Sequence, residues 1–223
     1  MNIRNIILFS LLSLGIAGCK VHSEYSLYAS DLRSVSKEGV VLYAPAEIKI
    51  ETSSCESNKE KIINIISKYY EVVGAATCRE ERMDSYLVVN TKSPIIHYEQ
   101  ELPNRIPTGI RVQLNEDKSI TVYAAVNKAR WEELKDEVQD LHSSAELEIG
   151  KVTIRLNNDE REPIAFKSQV VKYNNNPYEF LVVENFERRS EAIIEFSDIF
   201  SEVLDEYSEA WVLTMWSMSD KSQ

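Results

Sequence analysis

The 223-residue sequence predicts an α+β fold, a mostly antiparallel sheet carrying two or three helices. Three observations support this. Runs of alternating apolar and polar residues flank short polar turns, at 110–124 and again at 146–173, which is the period of half-buried strands joined as hairpins. Other stretches repeat their apolar residues every three or four positions, the period of a helix with one buried face. Apolar residues make up 43% of the chain, enough to give a body of this length a proper core.

The chain opens with Met1-Asn2-Ile3-Arg4, and Ile6 to Ile16 is an apolar run broken only by Ser10, Ser13 and Gly15. A positive start, an apolar run of roughly 7–15 residues and small residues at its end make a secretory signal. The run is shorter than the about 20 residues that a membrane-spanning helix needs. Leu14-Gly15-Ile16-Ala17-Gly18-Cys19 resembles the lipobox of bacterial lipoproteins, in which small residues directly precede a cysteine. The resemblance implies a signal peptide over 1–18, cleavage between Gly18 and Cys19, a palmitate-type diacyl lipid on the Cys19 thiol and acylation of the new amine. The alternative is an ordinary secretory signal with a chance cysteine. Each buried lipid methylene contributes about 0.8 kcal/mol, and two chains anchor stably where one is marginal. In this class Asp after the cysteine retains a protein at the inner membrane. Lys20 stands there instead, so the resemblance implies the outer membrane of a two-membrane host, with the body facing the periplasm.

Residues 19–39 are polar and mixed, with Tyr25, Leu27 and Tyr28 as their apolar cluster, and read as a tether that contributes an edge strand at most. Ala46 to Thr52 then alternates as a strand. Ser57-Asn58-Lys59-Glu60 has the form of a capping box, and Ile62, Ile65, Ile66, Tyr69 and Val73 follow at helical spacing, so a helix is expected over 58–70. A short strand from Val72 towards Cys78, a polar turn over 79–84 and a strand at Tyr86–Asn90 complete a unit over 40–100. With Cys19 taken by lipid, Cys55 and Cys78 remain, and an even pair outside the cytoplasm is expected to oxidise. A two-cysteine metal site is the alternative, and it lacks nearby histidines. The helix would be about 18 Å long, and eight extended residues return roughly 26 Å. A strand–helix–strand crossover therefore brings Cys78, at the carboxyl end of a parallel second strand, level with Cys55. The unit resembles the small α/β modules of periplasmic lipoproteins and assembly factors, a resemblance that carries over no functional residue.

Pro94, Pro103 and Pro107 mark 94–109 as a linker or long loop. Residues 101–223 read as a hairpin-rich α+β region, either separate from 40–100 or continuous with it. Strands at 110–114 and 120–124 flank a polar turn. Asn127 can cap a helix over 128–141 whose stripe is Trp131, Leu134, Val138 and Leu141. Strands at 146–156 and 164–173 are joined by the polar run 157–163, and a turn at 174–177 leads to a strand at 178–183. Ile199, Phe200, Val203, Leu204 and Tyr207 predict a helix from about Ser197, and 211–218 alternates as a final strand.

Removing residues 1–18 takes away Arg4 and no acidic residue, so 24 Lys and Arg face 36 Asp and Glu, a net charge of −12. Such a body repels phosphate backbones, so no nucleic-acid partner is expected, and the lipid rather than a basic patch must hold it to the membrane. His22 lies in the expected tether, and His97 and His142 have no nucleophile elbow or zinc spacing beside them. Ser34-Val35-Ser36-Lys37 matches the Ser-x-x-Lys pattern of penicillin-recognising enzymes without its companion motifs. Four glycines remain after cleavage, none clustered, which excludes a phosphate-cradling loop. No catalytic residue, metal site or cofactor is therefore expected. The expected function is a membrane-anchored, non-enzymatic binding module of the cell envelope with an envelope protein as partner. The alternatives are an exclusion or immunity lipoprotein of a mobile element, and an envelope hydrolase with an unfamiliar site.

Overall fold

The computed structural model describes residues 19–52, 54–81, 84–139 and 147–218; Gly18 with the rest of the expected signal, and His142, lie outside them. In chain order the elements are β1 (Cys19–Tyr28), α1 (Ala29–Glu38), β2 (Leu42–Glu51), α2 (Cys55–Tyr69), β3 (Glu71–Val72), β4 (Thr77–Glu81), β5 (Asp84–His97) and β6 (Thr108–Leu114). There follow β7 (Ile120–Val126), α3 (Lys128–Gln139), β8 (Leu147–Asn157), β9 (Ile164–Tyr173), β10 (Asn176–Phe186), β11 (Glu191–Phe196), α4 (Asp198–Tyr207) and β12 (Glu209–Ser217). The α+β expectation holds in outline, with four helices among the described residues where two or three were expected and a sheet of mixed sense.

Strands pair in the series β11-β8-β1-β2-β5-β6-β7-β12, and both ends of that series meet β9. β9 pairs with β12 over Ile164–Lys167 and with β11 over Val171–Tyr173, while β10 runs along its other edge. The pairings thus close into a ring. Pairs β1–β8 and β5–β6 are parallel and the rest antiparallel. Between the two halves of β9 sits Val170, at φ 51° and half-exposed. This left-handed backbone is poorly suited to a β-branched side chain.

The largest departure from the sequence reading is at the amino end. Residues 19–39 form no tether: β1 lies between β2 and β8, and α1 packs against β1, β5, β6 and β7. Val21, Tyr25 and Leu27 point inward and are buried, whereas His22, Glu24 and Ser26 take the outer face. α1 buries Leu32 and Val35 completely and stops at Gly39, whose φ of 63° is the left-handed cap that glycine adopts freely.

The disulfide joins Cys55 to Cys78 with Cα atoms 5.8 Å apart. Its setting differs from the expected crossover. β5 offers one edge to β2 and shares the other among β4, β3 and β6. Because β2 and β4 both run antiparallel to β5, they are parallel to each other with β5 between them, and Cys78 sits near the amino end of β4. The helix also begins earlier, at Cys55. The Asn58 N–H donates to the Ser54 carbonyl, and the Ser57 hydroxyl donates to Ser54 instead of forming a capping box. Pro94 lies inside β5, opposite Tyr43, and β6 takes in the other end, so the expected 94–109 loop shrinks to residues 98–107. Asn127 accepts from the Arg130 N–H at 3.4 Å, as a cap for α3, while Leu141 lies outside the described residues.

One contiguous core runs from Val21 to Met215 and takes in Ile62, Ile65 and Ile66 of α2 and Trp131 and Leu134 of α3. A polar knot is buried within it. Tyr25 donates to Thr108 Oγ1 at 3.0 Å, Tyr70 hydrogen-bonds the same oxygen at 2.9 Å, and Ser93 donates to the Thr108 carbonyl. Burial pushes both phenols above their ordinary pKa, so they stay neutral.

Two stability outcomes follow from this architecture. Replacing Cys55 and Cys78 together by serine should cost about 3 kcal/mol in urea unfolding, the chain-entropy value for a loop of this length; a loss below a few tenths would show that the loop is already constrained without the bridge. Val170→Gly should be neutral or stabilising by up to about 1 kcal/mol, because it relieves the left-handed strain while removing a half-exposed side chain. Val171→Gly, at a buried position with ordinary geometry, should destabilise. Equal losses at both positions would mean that Val170 is not strained.

Candidate functional site

The alternation that buries one face of each strand leaves the other face of β11, β8, β1, β2 and β5 to solvent. A groove of about 410 Å³ crosses this outer face. His22 and Glu24 come from β1, Glu47 and Lys49 from β2, Tyr86 from β5, Lys151 and Arg155 from β8, and Glu195 from β11. Its walls are therefore side chains brought together by strand pairing from positions up to 173 residues apart in sequence.

Nearly every charge in the groove has a partner. Arg155 reaches Glu24 at 2.8 Å and Glu191 at 2.7 Å. Lys49 lies between Glu47 and Glu81, Arg79 also approaches Glu47, and Glu195 is held by Lys151 and Lys172. Burial alone would raise the Glu195 pKa, but its two lysines hold it below the ordinary carboxylate value. Pairs this exposed contribute about 0–1 kcal/mol each to stability. Their consequence is a fixed pattern of alternating charge across the sheet.

His22 has a distinct role. The β1–β8 register shifts between Val21 and Ser23, leaving extra residues of β8 opposite His22. At that bulge the Lys151 N–H donates to His22 Nδ1 at 2.8 Å, which fixes the proton of the neutral ring on Nε2. The ring meets Tyr86 edge-on, with centroids 5.6 Å apart. Gly150 permits the approach, since a Cβ there would lie 2.9 Å from His22 Nδ1. Burial, and then the charges of Lys20, Lys49 and Lys151, hold the imidazole pKa below its ordinary value of 6.5.

The groove continues beyond these residues. A second depression shares Glu24 and Glu47 with it and reaches Tyr43, Asn90 and Lys92. A third shares Tyr43 and Lys92 and ends at Tyr69 and Arg105. Together they make a track over β1, β2 and β5 with aromatic rings at both ends and in the middle. Chemically it offers paired ions, amide groups and phenols along a length suited to an extended or broad partner.

Of the residues singled out from sequence, Cys19 begins β1, and Cys55 and Cys78 are joined to each other and contribute nothing to the groove. Ser34 and Lys37 lie on α1, away from the track. His97 ends β5, where its Nδ1 accepts from the Glu99 N–H. Among the described residues no group of three His, Cys, Asp or Glu could hold a metal, and no helix is long and apolar enough to cross a membrane. Sequence reasoning passed over His22 because it read residues 19–39 as a tether. The available signal was the alternation of Val21, Tyr25 and Leu27 with His22, Glu24 and Ser26.

Titration of His22 gives a test. Its folded pKa is depressed, so the folded chain binds fewer protons than the unfolded chain below pH 6.5. The stability it contributes is fully present above that value and is lost as pH falls through it towards the folded pKa. Between pH 7 and 5 the wild-type unfolding free energy should therefore drop more than that of His22→Gln, measured in urea. Parallel pH profiles would remove His22 as the acceptor that holds the bulge.

No curated protein and no solved structure matches the chain. A family model does match, over residues 21–221, nearly the whole of the described body from the third residue of β1 onward. The chain belongs to that family, a domain of unknown function, DUF7424.

Proposed function

We propose that the mature chain is a lipid-anchored protein of the cell envelope whose body is a non-enzymatic binding module, and that the outer-face track is its recognition surface. The observation that carries this is the mutual pairing of the groove's charges across strands, with His22 engaged by the Lys151 N–H. A surface built this way presents a rigid pattern of charge and aromatic rings to a complementary partner. It sets its titratable groups in ion pairs instead of holding one ready as a nucleophile or base. Tyr43, half-exposed in the middle of the track, and Tyr86 supply the large, low-entropy contacts typical of such surfaces.

The lipobox resemblance of Leu14 to Cys19 supports anchoring, with Lys20 favouring the outer membrane, and the partner is then an envelope protein whose charges complement the track. The exclusion or immunity role differs from a housekeeping one only in what that partner is. A photo-crosslinking residue at Tyr43 or Tyr86 in cells should capture one defined envelope protein. Arg155→Glu, which inverts the centre of the Glu24–Arg155–Glu191 cluster, should cut that capture at least about tenfold, as loss of a desolvated charged contact does. Undiminished capture by a folded Arg155→Glu protein would remove the track as the binding surface. Separately, Cys19→Ser should abolish lipid labelling and release the protein from membranes; retention on the membrane would end the anchor assignment.

A further inference from the structure

The body carries apolar surface that the track does not use, and it is gathered where β1 begins. Cys19 is paired opposite Leu147 and Lys20 opposite Glu148, so the sheet starts at the residue that the lipobox marks. A lipid there has no spacer between it and the fold. Beside this point lies α4. The Ser201 hydroxyl donates to the Gly150 carbonyl at 2.6 Å, and a Cβ on Gly150 would stand 3.2 Å from the Cβ of Lys20. α4 packs on β8 at one side of the ring and on β7 and β12 at the other, so it lies across the ring's mouth at the end where β1 starts.

α4 buries Ser201 and Leu204 against the strands and turns Ile199, Val203 and Tyr207 outward, four residues apart and therefore in one row. Ile199 is 64% and Tyr207 66% exposed. A shallow groove of about 690 Å³ connects the start of α4, at Phe196 and Ser197, to Val170 and Tyr178 of the β9–β10 arm, with Lys151 and Lys172 in its walls. On the same arm Phe180 is 60% exposed, on the same strand face as Tyr178. That groove, with Glu179 and Glu195 also in its walls, thus leads from the start of α4 to the face of β10 that carries Tyr178 and Phe180, near the residue predicted to carry the acyl chains.

We infer that these apolar side chains rest on the lipid bilayer: the anchored protein lies flush against the membrane, with the α4 row and the Tyr178–Phe180 face of β10 at the headgroup level. The inference rests on the lipid anchor proposed above. Tyrosine and phenylalanine with short aliphatic side chains suit the interfacial layer, and lysines beside them can meet phosphate oxygens. The acidic residues flanking the row, Glu202, Asp205 and Glu206, keep α4 at the interface and disfavour anionic headgroups, so bilayers of phosphatidylethanolamine and phosphatidylcholine are the matched surface.

The native lipoprotein lends itself to a direct measurement. Its Cys19 thiol is acylated and Cys55 and Cys78 are joined, so a cysteine introduced elsewhere is the only free thiol. The environment-sensitive fluorophore NBD is placed in turn at Tyr207→Cys, Phe180→Cys and Glu116→Cys, the last in the β6–β7 turn at the opposite end of the body. The proteins are reconstituted in phosphatidylethanolamine–phosphatidylcholine vesicles, with flotation run alongside. Blue-shifted emission and strong quenching by interfacial nitroxide lipids are expected at 207 and 180, and solvent-like emission without quenching at 116. Solvent-like emission at all three positions in floating vesicles overturns the flush seating and leaves the anchor standing. Shielding at 207 and 180 without lipid quenching overturns it in favour of a protein contact, a second copy included. Failure to float defeats the anchor itself, and the seating with it.

Discussion

The fold depends on β1 being inside the sheet. Its ten residues supply the lateral link between two sets of strands, β8 with β11 on one side and β2, β5, β6, β7 and β12 on the other. Each neighbour uses a different sense, antiparallel to β2 and parallel to β8, so β1 is where the amino-terminal and carboxyl-terminal halves of the chain become one sheet. Ring closure at β9 supplies a second link, but only through short pairings on either side of a left-handed valine. Loss of β1 would leave unpaired backbone on two central strands, which is far more costly than loss of an edge. Tyr25, on the inward side of the same strand, extends the tie into the interior through Thr108, Tyr70 and Ser93.

His22 carries the same constraint to the outer face. The β8 bulge needs a substitute acceptor for the Lys151 N–H, and the imidazole provides it only while neutral. Gly150 must lack a side chain for the ring to fit, and its carbonyl receives the Ser201 hydroxyl from α4. One irregularity in strand pairing therefore fixes a groove side chain on one face and docks a helix on the other. Proton uptake by His22 would be felt at both.

The sequence read clearly where periodicity was strong and burial deep. Strands 147–157 and 164–173, α3 with Trp131, Leu134 and Val138, α4 with Leu204, and the last strand all lie where alternation or helical spacing put them. The hairpin expected of the first two does not form, because β11 lies between β8 and β9 and pairs with both. The Cys55–Cys78 pairing was legible from cysteine arithmetic, although the strands around it were not. What stayed hidden has a common cause. β1 faces solvent with His22, Glu24 and Ser26 and carries Ser23 on its inward side, so its apolar signal falls to Val21, Tyr25 and Leu27. α1 buries only four residues, two of them Ala29 and Ser36. β11 is six residues with two glutamates on its outer face. In each case tertiary pairing, not local preference, decides the structure. The groove was illegible for a further reason: its residues converge from six strands, and no local spacing announces that.

On the proposed anchoring, the position of Cys19 also sets how a partner can approach. At about 3.3 Å per residue, His22 stands about 10 Å along β1 from the lipid-bearing residue, and the track leads away from it towards Tyr43 and Arg105. A protein on a long flexible spacer samples many orientations, and its partner can meet it from any side. A body joined to its lipid at the first residue of a central strand cannot tumble in that way. The track then stands beside the bilayer with one end near the headgroups, and a membrane-embedded or membrane-apposed partner meets it already oriented. Orientation fixed in advance lowers the entropy lost on association, so a surface of individually weak, paired charges can suffice for recognition there when it would be too weak in free solution.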